Sequence, residues 1–227
     1  MNMNKHIFLF ATLLTFTACK KESEEPGATP PEGFTTTSVL SAFASNVAQE
    51  NYADLAQRSA VLRDMIIAFG ASASDGDLAL CKQQWRDTRL SWERSEALLF
   101  GPVATDNIDP RIDTWPVDFT DLEAQLASGN TFTQEYITSL EDALKGFHPI
   151  EYLLFGVDGN KTAGQFTARE VEYITALAND LAALTASLDE SWDPATNGNY
   201  SHAFTSAGDG SAEYPTERSA YEELVNA

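Results

Sequence analysis

Residues 36 to 69 read TTSVLSAFASNVAQENYADLAQRSAVLRDMIIAF. Apolar side chains recur at Val39, Leu40, Phe43, Val47, Leu55, Val61, Leu62, Ile66 and Phe69. Steps of three and four along such a run put one apolar stripe on a helix, which predicts an amphipathic helix with an irregularity near Asn51. The SASDG that follows breaks it. From about Asp77 to Phe100 a second stripe runs through Cys81, Trp85, Thr88, Trp92 and Leu99. Its two tryptophans are seven residues apart and share a face, and the usual meaning of such a stripe is core.

Gly101-Pro102 ends the second helix. Short helices are predicted at 119 to 127 and 133 to 145, with Gly146 closing the second. Another starts at Pro149, a residue suited to the first helical position. Thr167-Ala168-Arg169-Glu170 has the form of a capping box and opens a helix to about Leu188. The stretch 189 to 219 reads as loop, and AYEELVNA as a further helix. No alternation of strand type has any length. The fold class is therefore all-α, an up-and-down helical bundle with a long irregular loop at about 101–118, GPVATDNIDPRIDTWPVD. Loops of that length in a compact domain are often functional.

Upstream, residues 1 to 18 carry Lys5 and then the apolar run IFLFATLLTF, too short to span a bilayer, as in a signal peptide. FTAC, ending at Cys19, resembles a bacterial lipobox. That resemblance implies cleavage before Cys19, lipidation of Cys19 and a lipid-anchored protein of a bacterial cell envelope. Residues 19 to 35, rich in Pro, Gly and charge, read as the tether. Loss of the signal would take Lys5 and no acid, leaving 13 basic against 34 acidic residues, a net charge of −21. Such a surface disfavours nucleic acid and anionic lipid and attracts cations. With Cys19 lipidated, Cys81 has no disulfide partner and reads as a small core residue.

Two stretches align without gaps at an offset of 55: WERSEALLFG at 92 to 101 and FHPIEYLLFG at 147 to 156. Glu96 matches Glu151, and Glu93 stands where His148 stands. Residues i and i+3 share a helix face, so Glu93 with Glu96 and His148 with Glu151 form two pairs that would converge if their helices packed equivalently. Three carboxylates and an imidazole suit iron or another divalent cation. HPIE has a second reading. With His148 as N-cap and Pro149 at N1, Glu151 falls at N3, where its carboxylate caps the helix and no ligand is needed. Arg111, in DPRID, has a nearby acid as its expected partner.

WERSEALLFGPV, DPRIDTWPVD and GFHPIEYLLFG, taken together, resemble the imelysin-like family, including its Gly-x-His-x-x-Glu motif at Gly146, His148 and Glu151. The resemblance covers about residues 36 to 190. It implies an envelope protein of helical bundles linked to iron uptake, with iron-transport components as partners and peptidase activity attributed to some members. Carried over by residue, the motif marks Gly146, His148 and Glu151, with Glu96 and Asp113 in matching acidic segments and Asp109 and Arg111 in the supporting loop. Family members run longer, so the domain at 36–227 is expected to be truncated at its C-terminal end. The functional expectation is a lipid-anchored protein binding iron or another cation. A metal-free binding or interaction module ranks second. A metallopeptidase ranks third, because catalytic zinc usually takes three protein ligands, and His148 and His202 are the only histidines left once the signal is removed.

Overall fold

A computed structural model describes residues 34 to 226. The signal stretch, Cys19 and the tether up to Gly33 lie outside the described residues. Among the described residues the fold is helical throughout, with no strand. In chain order the helices are α1 (Thr36–Phe43), α2 (Gln49–Ser72), α3 (Asp75–Ser95), α4 (Pro102–Thr105), α5 (Ile108–Asp113), α6 (Phe119–Ala127), α7 (Gln134–Ser139), α8 (Phe147–Phe155), α9 (Ala168–Trp192), α10 (Tyr200–Thr205) and α11 (Glu217–Asn226).

The bundle is built on α2, α3 and α9. Ala73 adopts the left-handed conformation, φ 48°, and Ser74 caps the next helix by accepting from the Asp77 N–H. The chain thus reverses in two residues, and α3 runs antiparallel to α2. Ser91 donates to Asp54 at 2.7 Å, Gln84 to the Arg58 carbonyl at 3.0 Å. Helix α9 is antiparallel to α2 on its other side. Gln49 reaches Asp189 near one end, and Gly70 faces Val171 at the other. Thr167 and Glu170 form the expected capping box, which fixes where α9 begins. Short α8 lies across α3, with the Trp85 indole donating to the Phe147 carbonyl at 3.1 Å. Trp85 and Trp92 are core, as expected, and so is Cys81.

Several details depart from expectation. The irregularity predicted near Asn51 is a π turn slightly upstream, at Ala44–Ala48. The extra residue in that turn shifts the phase of the helix. Ala44, Ala48 and Tyr52 take core positions, and Val47 turns outward. Helix α3 stops at Ser95 rather than Phe100, and a 3-10 turn over Glu96–Leu98 leads into Gly101. Leu99, expected on the buried stripe, is exposed in consequence. The connection 101–118 is irregular in course but carries α4 and α5. The stretch 189 to 219, read as loop, contains α10, whose helix is too short to give a periodic signal.

Candidate functional site

Gly146 positions the site. It is the N-cap of α8 at φ 82°, a conformation costly for any residue with a Cβ. A Cβ there would stand 2.2 Å from the carbonyl oxygen of Ile112. Glycine therefore lets the start of α8 rest directly on the backbone of α5. The contact sets His148, the second residue of α8, opposite Asp113, the last residue of α5. It also corrects the capping reading of HPIE. The helix starts at Phe147, so His148 is not the N-cap and Glu151 sits too far along to cap. Pro149 falls within the first turn, where a missing N–H costs no helical hydrogen bond.

Asp113, His148 and Glu151 stand in line. His148 Nε2 is 3.0 Å from Asp113 Oδ1, and His148 Nδ1 is 3.3 Å from Glu151 Oε2. The Asp113 contact is close, an ion pair when His148 is protonated, and buried Oδ1 has no other hydrogen-bond partner. Oδ2 of the same carboxylate accepts from the Trp92 indole at 2.9 Å and faces Arg89, which also pairs with Glu93 at 2.6 Å. Asp113 raises the His148 pKa above the ordinary imidazole value, against burial, and Glu151 adds to the effect. Burial pushes Asp113 upward, but His148, Arg89 and Trp92 together outweigh it and hold the carboxyl below its usual range.

The remaining sequence candidates divide. Glu93 joins through Arg89. Glu96 is exposed at the end of α3, its pKa raised by partial burial and by Glu93 beside it. Asp109, one turn before Asp113, is raised by burial and by the Asp113 charge. Arg111 points elsewhere: its partner is Asp180 on α9 at 3.7 Å, not an acid of DPRID. The two aligned stretches are also inequivalent, one ending a helix and the other beginning one.

Four donors converging on one cation are thus not what the fold builds. Among the described residues no three His, Cys, Asp or Glu side chains are grouped to hold a metal ion. The two nitrogens of an imidazole diverge, so carboxylates on both cannot share one ion with it. The Arg89 guanidinium also occupies the space between Glu93 and Asp113. Arg89 was missed in the sequence, although its spacing of four from Glu93 is a readable pair.

The line of charges ends in a cleft of about 490 Å³. Its walls include Trp115, Val117, Phe119, Tyr152 and Phe155, and His148 and Glu151 also face it. The Trp115 ring lies 4.8 Å from the His148 ring, and Phe119 lies 5.0 Å from Tyr152. Trp115 lies in the 101–118 loop, and Tyr152 and Phe155 lie in GFHPIEYLLFG, both singled out in the sequence, but only the fold brings these two stretches and Phe119 together.

The family model described as Peptidase_M75, imelysin, matches residues 48–227. The chain belongs to the imelysin family. It is 29% identical over 191 residues to iron-regulated protein A of Synechococcus elongatus, covering 84% of this chain and 50% of that protein. A crystal structure provisionally named as an iron-regulated protein A precursor, from Parabacteroides distasonis, superposes with a TM-score of 0.75 at 28% identity, over 87% of this chain and 56% of that one. An imelysin-like protein from Psychrobacter arcticum shares the fold, with a TM-score of 0.61 at 19% identity over 69% of this chain and 49% of that one. This imelysin-family chain spans about half the length of the relatives it matches.

Proposed function

We propose that this is a lipid-anchored envelope protein of iron-associated physiology that binds a cationic ligand, iron in some form or another cation, at the cleft end of the Asp113–His148–Glu151 line. One observation carries the reading. Glu151 is half-exposed on the cleft, and its Oε1 has no partner among the described residues, so a carboxylate oxygen is free to meet a cation there. Both relatives at 28–29% identity are named for iron regulation, and the net charge of −20 favours cations over anions. The anchor rests on Cys19 and the signal before it. Among the described residues no helix is long and apolar enough to cross a membrane. Binding is favoured over peptide hydrolysis, since His148 has carboxylates on both nitrogens and His202 is exposed on α10, which packs on α1 and α9.

Calorimetric titration tests this with two probes, ferrous sulfate and the cationic iron chelate ferrioxamine B. The expected result is saturable binding of at least one. Glu151→Gln, which keeps shape and removes charge, should weaken it about tenfold, as for loss of one charge-assisted contact. Equal binding by wild type and Glu151→Gln overturns the site, and binding of neither probe overturns its assignment to iron.

A further inference from the structure

We propose that the cleft is shaped for an organic cation with an apolar or aromatic body, its charged centre lying between Glu151 and the rings of Trp115 and Tyr152. The inference rests on the cation-binding reading and names the ligand class. Size is the first argument. A volume of about 490 Å³ falls in the range of small-molecule pockets, far beyond what a bare ion fills. Composition is the second. The walls are mostly aromatic and aliphatic, and no Lys or Arg is among the residues lining the cleft.

Ring faces attract cations through their negative π-clouds, and Trp does so best. Trp115 is 66% exposed, a large apolar area for a single ring to leave in water. Tyr152 is held in place by donating its hydroxyl to Glu123 at 2.7 Å, which leaves its ring in the cleft wall. Phe155 contributes less to a cation, because Lys82 and Arg86 already sit over its ring at 5.4 Å and 4.9 Å. Charge balance decides between cation and anion. At the Glu151 end, Arg89 and His148 are faced directly by Asp113, Glu93 and Glu151, one carboxylate more than cations, while Lys82 and Arg86 stand at the Phe155 ring.

The test compares phenyltrimethylammonium with tert-butylbenzene, its uncharged isostere, by ligand-observed NMR on the mature protein. Wild type is expected to prefer the cation by about two- to thirtyfold, the range that a cation–aromatic contact spans. Glu151→Gln should shrink that preference, and Trp115→Ala should weaken binding of the cation. Trp115 is outside the core, so its removal takes little from core packing. Equal affinity for the two probes, or no binding of phenyltrimethylammonium, overturns the proposal. Ferrous ion bound in a Glu151-dependent but Trp115-independent way would leave the cation-binding reading intact and sink this one.

Discussion

Gly146 shows how one missing side chain assembles a site. Its Cβ position is filled by the α5 backbone, and its φ of 82° suits glycine. Gly146→Ala therefore meets both a clash and backbone strain, and should cost about 2–4 kcal/mol with a lower urea midpoint. His148 carries a different prediction. Its folded pKa lies above the reference value of 6.5, so the ion pair stabilises fully below that pH and the stabilisation is lost as pH rises through the folded value. Asp113 is shifted down, so its contribution holds above 3.8 and disappears as pH falls through its folded value. Denaturant midpoints of wild type should fall from the weakly acidic region toward about pH 9 relative to His148→Gln. Cation affinity should move the other way, since deprotonated His148 no longer offsets Glu151 or Asp113, while Arg89 keeps its charge. A pH-independent affinity between about pH 5 and 9 would count against that arrangement.

At the scale of elements, α9 begins where its sequence says it should. Thr167 accepts from the Glu170 N–H, and Glu170 accepts from the Thr167 N–H at 2.8 Å. Thr167→Ala should cost about 1 kcal/mol, a shift of about 2–4 °C in Tm by calorimetry. A capping box is legible because its partners are three residues apart. The long apolar stripes of α2 and α3 are legible for the same reason, their period being local. What was not legible depends on contacts distant in sequence. Leu98 to Gly101 and Leu153 to Gly156 are the same four residues, yet only the second copy begins inside a helix. The first is bent where Gly101, at φ 63°, passes against the ring of Tyr200, a hundred residues away. Helix α8 starts two residues before Pro149 because the Ile112 backbone decides it. His148 and Glu151 were found from their spacing, whereas Arg89 and Trp92 enter the site only through Asp113.

The whole molecule is an acidic bundle that, on our reading, works at the end of a lipid-bound tether. Cys19→Ser should shift the protein from the membrane pellet to the soluble fraction, or leave the precursor uncut. Unchanged fractionation would remove the anchor from the account. The other cysteine lies at the centre of the bundle, on α3, fully buried. Burial pushes the Cys81 thiol up to about 11, so it is neither ionised nor reachable while the helices stay packed. A thiol reagent can then react only when the bundle opens, which makes Cys81 a clock set into the core. In Cys19→Ser protein, the labelling rate of that single thiol counts openings of the α2–α3–α9 core, and a ligand held in the cleft should slow the count by the factor with which it favours the closed state.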